Sequence, residues 1–362
     1  MTHEEEKFAA ILKVAVEHNA SDVHVRSDEK PFCRVNGKLK PVEMSPFTAA
    51  EVYALAKLFI KDEEVKSQLH LVTEYDGSYE LRGVARVRYN LMRYQGKFGL
   101  VCRIIKTKIP TVAELNLPES LEQLVQAERG IVLVTGATGC GKSSTLAAMI
   151  GYINANERVH IITIEDPVEY LHPQLKARVT QREIGLDTAD FTSGMKFSLR
   201  EDPDIILIGE MRDTETFSTA LKASETGHLV LATVHTADAV TTIGRLLAMF
   251  PPEEQNNARL RFAENLSAII SQRLLPRADK KGMIPAVEIL INGPGIRECL
   301  LGKEDERAMM RYMEAGKGQT GSQSFDQHLR ELLEQGLISK EVASKSSRSE
   351  GDFLKKLRFE ID

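Results

Sequence analysis

Two periods of apolar residues alternate along this chain, and the places where one gives way to the other mark its organisation. Phe8, Ile11, Leu12, Ala15 and Val16 follow a helical spacing, after which Ser21-Asp22-Val23-His24-Val25-Arg26 alternates as a half-buried strand does. Asn36-Gly37 lies between short apolar runs within 31–41, a hairpin signal because such pairs accept the positive φ of a two-residue turn. Helical spacing returns over 48–61. Between Glu74 and Ile105 the pattern alternates again, as in Arg86-Val87-Arg88-Tyr89, with Gly77 and Gly96 as breaks. Residues 1–105 therefore predict a small α+β unit with antiparallel strands.

Residues 106–116, opening Lys-Thr-Lys-Ile-Pro, interrupt both patterns and are read as a linker. Beyond them the apolar runs at 131–135, 159–164, 205–208 and 229–234 are almost unbroken and are separated by helical patterns. Strands apolar on both faces belong to a parallel sheet covered by helices. Residues 117–293 are thus expected to form an α/β core, and 294–362, charged and helical in pattern, a C-terminal helical region. Within that region Lys345-Ser346-Ser347-Arg348-Ser349-Glu350-Gly351 reads as a mobile polar loop. No internal repeat is evident.

A length of 362 residues suits two domains, and 42% hydrophobic with 27% charged residues is the composition of a soluble globular protein. The formal charge of −5 gives no general attraction to nucleic acid, so no nucleic-acid partner is expected. Cys33, Cys102, Cys140 and Cys299 lie far apart, which offers neither a C-x-x-C metal signature nor a disulfide framework. The start of the chain is acidic and polar, and no apolar run reaches the roughly 18 residues that span a bilayer. A cytoplasmic location follows, with docking on a membrane protein still open.

Candidate chemistry gathers at the ends of the apolar runs. Gly136-Ala137-Thr138-Gly139-Cys140-Gly141-Lys142-Ser143-Ser144 follows one run and precedes a helical pattern, the context a phosphate-binding loop requires. Its glycines let backbone N–H groups converge on phosphate oxygens, the helix N-terminus adds its positive end, and Lys142 supplies a point charge. Ser143 is placed to reach Mg²⁺ through its hydroxyl, and Cys140 reads as a small, passive occupant.

In an open parallel sheet, ligands sit beyond the carboxyl ends of the strands. Three further runs end on polar residues: Glu165-Asp166, Glu210-Met211-Arg212 and His235-Thr236. Singly, each is explained as a cap or a solvated turn; together, beside a phosphate loop, they point to triphosphate hydrolysis. Glu165 suits the base or orienter of the attacking water, and Glu210 the Mg²⁺ shell through water. Arg212 is either a γ-phosphate sensor or a structural ion-pair residue, and His235 either senses the γ-phosphate or satisfies a buried hydrogen bond. Asp204 and His228 stand at the amino ends of their runs, away from the phosphates.

These boxes, in this order, resemble the secretion ATPase superfamily, and most closely the PilT and PilU family of pilus retraction ATPases. Gly136 to Ser144 resembles its Walker A, the stretch from Ile162 to Tyr170 its Asp box, that from Asp202 to Asp213 its Walker B, and that from Thr226 to Thr236 its His box. Ser21-Asp22-Val23-His24 and Arg34-Val35-Asn36-Gly37-Lys38-Leu39 look like the start of its N-terminal domain. The resemblance implies a PAS-like domain followed by a RecA-like P-loop NTPase domain, binding ATP and Mg²⁺. It also implies a homohexamer docked on an inner-membrane pilus platform protein, with a paralogous ATPase as a further partner. Arg88 and Arg103 match the places of arginines that one subunit supplies to a neighbour's nucleotide; by alternation alone they read as a solvated strand face.

Departures from the family pattern are Cys140 where many relatives carry Ser, Lys196 where an arginine is common, and Gly295-Ile296-Arg297-Glu298 in place of an Ala-Ile-Arg start. The closing Phe353 to Phe359 is more PilU-like. Absence of a tetracysteine zinc motif argues against the extension and type II assembly ATPases. The rival readings are a nucleic-acid motor, opposed by the acidic balance, and an accessory ATP-binding protein, opposed by the intact Lys142, Glu165 and Glu210.

Overall fold

The computed structural model of the protein describes residues 2–35, 37–81, 83–105 and 108–358. It divides into two compact units, Met1–Lys108 with Glu169–Leu171, and Ile109–Val168 with His172–Asp362. The division falls at Lys108, within the stretch read as a linker; Lys106 and Thr107 lie outside the described residues.

The first unit runs α1 (His3–Glu17), β1 (Asp22–Arg26), β2 (Phe32–Val35), β3 (Lys38–Pro41), α2 (Ala49–Phe59), α3 (Glu63–Ser67), β4 (Glu74–Leu81), β5 (Ala85–Tyr94) and β6 (Lys97–Ile105). Helices α1 and α2 both begin with a capping box, Thr2 with Glu5 and Thr48 with Glu51, which satisfies donors that a helix start leaves unpaired. The six strands are antiparallel in the order β3-β2-β1-β6-β5-β4. Val35 pairs with Lys38 across the expected hairpin, whose Gly37 takes φ +77°; Asn36 lies outside the described residues. Period-two alternation sends Val23, Val25, Val87, Tyr89 and Leu91 into a core with Phe8, Leu12, Leu55 and Phe59. The opposite phase carries a row in which Asp22 faces Arg34 on one side and Arg103 on the other, and Arg103 faces Arg88.

The second unit opens with α4 (Ser120–Leu124) and continues β7 (Gly130–Thr135), α5 (Lys142–Asn156), β8 (His160–Glu165), β9 (Arg178–Glu183), α6 (Phe191–Ser198), β10 (Ile205–Ile208), α7 (Thr214–Glu225) and β11 (Leu229–Val234). Helices α8 (Ala239–Ala248) and α9 (Gln255–Asn265) lead to β12 (Leu266–Pro276) and β13 (Met283–Ile291). The seven strands lie in the order β13-β12-β7-β11-β10-β8-β9, parallel except for β13. The four apolar runs are the neighbours β7, β11, β10 and β8. Strand β7 shows why they are apolar throughout: Ile131 and Leu133 feed one core with α7, α8 and α9, while Val132 and Val134 feed another with α5.

The remaining strands carry a different signature. Arg178-Val179-Thr180-Gln181-Arg182-Glu183 is a polar edge strand with one apolar residue, and β12 interrupts its apolar run with Ser271, Gln272 and Arg273. The helical region comprises α10 (Pro294–Leu300), α11 (Ala308–Ala315), α12 (Phe325–Glu334), α13 (Lys340–Ser346) and α14 (Glu350–Arg358). Phe325, Leu329, Leu332 and Phe353 pack there against Leu275, Ile284 and Ala286 of the outer strands. The stretch 345–351 is not the mobile loop its composition suggested. Lys345 and Ser346 end α13, Glu350 and Gly351 begin α14, and the Arg348 N–H donates to the Asp326 carboxylate at 3.0 Å. Its serines act as local bonding groups: Ser347 Oγ donates to the Ser344 carbonyl at 2.6 Å. Phe359 lies outside the described residues.

Candidate active site

Strand β7, buried at every position, delivers the chain to a loop that no side chain could occupy at its key points. Gly136, Gly139 and Gly141 adopt φ of +144°, +79° and +96°, a region L-residues rarely visit. A Cβ on Gly136 would run into the carbonyl oxygen of Gln272, and one on Gly141 would come within 2.8 Å of the Gln272 side-chain nitrogen. Gly139 has open space around it, so there the backbone conformation alone demands glycine. Ala137, Thr138 and Gly139 form the exposed crown of the loop, and Cys140 turns inward. Burial pushes the Cys140 thiol up, opposed by the Lys142 charge.

Helix α5 starts at Lys142 without a side-chain cap, which leaves its N-terminal amides facing an anion at the positive end of the helix dipole, with Ser143 and Ser144 in that first turn. Lys142 is buried. Its Nζ donates to the carbonyls of Gly136 at 2.9 Å and Ala137 at 3.2 Å, and lies 3.4 Å from Nδ1 of His235.

The other strand ends converge on the same edge. His235 follows β11. An ammonium only donates, so His235 Nδ1 accepts from Lys142 and the imidazole proton sits on Nε2, which faces Glu210 Oε1 at 3.4 Å. The second oxygen of Glu210, beyond the end of β10, takes the Arg212 guanidinium at 2.5 Å. Arg212 holds the Glu210 carboxyl below its usual range against the opposing effect of burial, with His235 assisting, and Glu210 in turn raises Arg212. Lys142, His235, Glu210 and Arg212 thus form one chain of contacts across three strand ends.

Glu165 closes β8, the strand beside β10, with Ile164 in register with Ile208. Its Oε1 accepts from Thr163 at 2.7 Å and from Gln181 of β9 at 3.1 Å, which fixes the carboxylate plane. The glycine cradle, the buried lysine and the uncapped helix fit a nucleotide polyphosphate. Among the described residues no cluster of three or more His, Cys, Asp or Glu could hold a metal by itself. The donors present, one serine hydroxyl and a carboxylate shared with Arg212, suit a magnesium ion that keeps water and takes phosphate oxygens.

Arg212 is paired with Glu210 here, Asp204 accepts the His160 amide at 2.8 Å, and His228 Nδ1 lies 2.8 Å from the Ala223 carbonyl. Lys196 pairs with Glu215 at 3.1 Å on the exposed side of α6 and α7. Arg88 and Arg103 belong to the first unit, where Arg103 Nε donates to Asp22 at 3.2 Å. Sequence reasoning missed Gln272, whose amide donates to the Cys140 carbonyl at 2.6 Å and accepts from the Thr145 hydroxyl at 2.7 Å. The available signal was the polar Ser271-Gln272 pair inside an otherwise apolar run.

Residues 4–336 match the family described as type II/IV secretion system protein. The chain is 40% identical to the type IV pilus retraction ATPase PilT of Pseudomonas aeruginosa, over 95% of this chain and 98% of that one. It is 38% identical to the type IV pilus ATPase PilU of the same organism, over 96% and 90% of the two chains. A crystal structure of the pilus retraction motor PilT with bound ADP superposes with a TM-score of 0.84 at 38% identity, covering 94% of this chain and 97% of that one. The ATPase DotB of Legionella pneumophila superposes with a TM-score of 0.76 at 30% identity, over 92% and 93%.

Proposed function

This chain belongs to the type II/IV secretion system protein family, on its PilT and PilU branch, and on that premise we propose that it is a hexameric motor hydrolysing ATP to retract type IV pili. The observation that carries the reading is the contact chain from Lys142 through His235 and Glu210 to Arg212, built on the strand ends that flank the phosphate loop.

ATP is held with its β and γ phosphates on the loop amides of 137–143, the positive end of α5 and Lys142. A γ-phosphate oxygen competes for the Lys142 protons that otherwise go to two carbonyls and His235, so phosphate binding is felt at His235 and, through its Nε2–H, at Glu210. Glu165, its plane fixed by Thr163 and Gln181, aligns the attacking water and draws its proton. Ser143 and, through water, Glu210 would hold a magnesium ion, which would neutralise charge on the phosphate oxygens. Arg88 and Arg103 complete the site from a neighbouring subunit, where positive charge stabilises the departing phosphate. Domain movement coupled to turnover is passed to an inner-membrane platform protein, with the motor on the cytoplasmic side; no helix among the described residues is long and apolar enough to cross a membrane itself.

A deletion strain scored for pilus number and twitching tests the proposal. Loss of twitching with excess surface pili is expected; loss of pili would make the protein an extension motor and sink it. The near-equal identity to PilU supports a second reading, an accessory ATPase assisting another ring. Expression in a strain lacking every paralogue separates them: a self-sufficient motor restores twitching and an accessory one does not.

A further inference from the structure

Gln272 stands one residue beyond the last β7–β12 pair, Ser271 with Thr135, where β7 turns away into the phosphate loop. It is almost completely buried. A carbonyl oxygen only accepts hydrogen bonds, so the contact with Cys140 requires the Gln272 amide nitrogen, and its amide oxygen is left for the Thr145 hydroxyl. One side chain thereby ties the loop to the first turn of α5. The same residue lies under both Gly136 and Gly141, where its atoms occupy space a Cβ would fill and so add to the demand for glycine that the positive φ at each already makes.

The peptide unit Cys140–Gly141 is planar and trans, so its C=O and N–H point in opposite directions. Pinning the Cys140 carbonyl onto Gln272 turns the Gly141 N–H the other way, toward the concave side of the loop where a phosphate oxygen would sit. We propose that Gln272 is a positioning residue of the nucleotide site, setting the direction of the Gly141 amide through the Cys140 carbonyl and anchoring it to α5 through Thr145. The assignment rests on the loop being the nucleotide site. It makes β12 part of the binding apparatus although no atom of Gln272 needs to touch the ligand.

Two substitutions test it. Gln272→Glu keeps the acceptor for Thr145 but sets a carboxylate oxygen against the Cys140 carbonyl; Gln272→Met keeps similar volume without either polar group. In both, the Kd of a fluorescent ATP analogue and the KM for ATP should rise at least about tenfold, the scale of one hydrogen bond to a charged group, with kcat within about threefold. If the acidic variant fails to fold, the methionine variant decides. A merely structural role would reduce the number of active molecules, lowering apparent kcat at unchanged KM, and that result overturns the proposal. Lys142→Ala serves as the reference. Binding lost there but kept within about twofold in both Gln272 variants refutes the positioning role and leaves the loop assignment standing; binding kept in Lys142→Ala overturns both.

Discussion

Replacing Glu165 by Gln separates chemistry from architecture with unusual economy. Thr163 and Gln181 donate to the same carboxylate oxygen, at 2.7 and 3.1 Å, and an amide oxygen can accept both in place. In these two bonds the cost is the difference between charged and neutral acceptors, on the order of 1 kcal/mol for this partly buried group. The cost to the reaction is larger: a general base contributes about 10²–10⁴ in rate, or about 3–5 kcal/mol of barrier. Turnover by phosphate release should therefore fall at least about tenfold and toward that range, while the Kd for ATP and the melting temperature stay close to wild type. Single-turnover measurement on the ATP-saturated variant isolates the chemical step. Turnover unchanged within about twofold, with binding intact, would remove Glu165 from the mechanism.

Other consequences are open to measurement. Glu288 is buried, accepts the Ala239 amide at 3.0 Å, and has its carboxyl pushed up to about 6 by burial. Since the folded value exceeds the unfolded one, the native state binds the extra proton, and stability falls as pH rises from about 4.3 through 6. Gln at position 288 should abolish that slope and gain on the order of 2 kcal/mol relative to wild type above it, read as melting temperature against pH; parallel curves would refute the assignment. Burial of Cys140 and its raised thiol predict slow labelling by a bulky maleimide at neutral pH, faster toward alkaline pH, with ATP protecting; labelling that leaves nucleotide binding intact would contradict the loop geometry. Arg88→Ala and Arg103→Ala should each leave ATP binding by the subunit in place and depress turnover of the ring by about 10³ or more, as neighbour-supplied arginines do elsewhere. Full turnover in both variants would return these side chains to the solvated face they resemble in sequence.

The parts of the fold legible in the sequence were those whose burial is either complete on both faces or strictly alternating. Strands β7, β8, β10 and β11 stand out because helices cover both their faces, and the first unit's strands because only one phase of each is buried. Strand β9 escaped because Val179 is its lone apolar residue, and β12 because Ser271 and Gln272 serve the loop rather than the core. At the site, residues adjacent in sequence to a strand end were readable. Gln272 and Thr145 were not, since their relation, across 127 positions, exists only once β12 lies beside β7. The pairing of Arg212 with Glu210 likewise depends on a rotamer, and the order of 345–351 on the partners that neighbouring residues offer.

Strand β7 is paired along its whole length with β11, from Gly130 to Thr135, and over most of it with β12. A pull transmitted through the phosphate loop along that strand would load two ladders of hydrogen bonds in shear, all sharing the force at once, instead of peeling them apart in turn. Mechanical strength in this arrangement comes from the place of β7 inside the sheet, away from either edge. Tension should therefore be relieved first in the connections outside the sheet, with the phosphate loop among the last elements to yield.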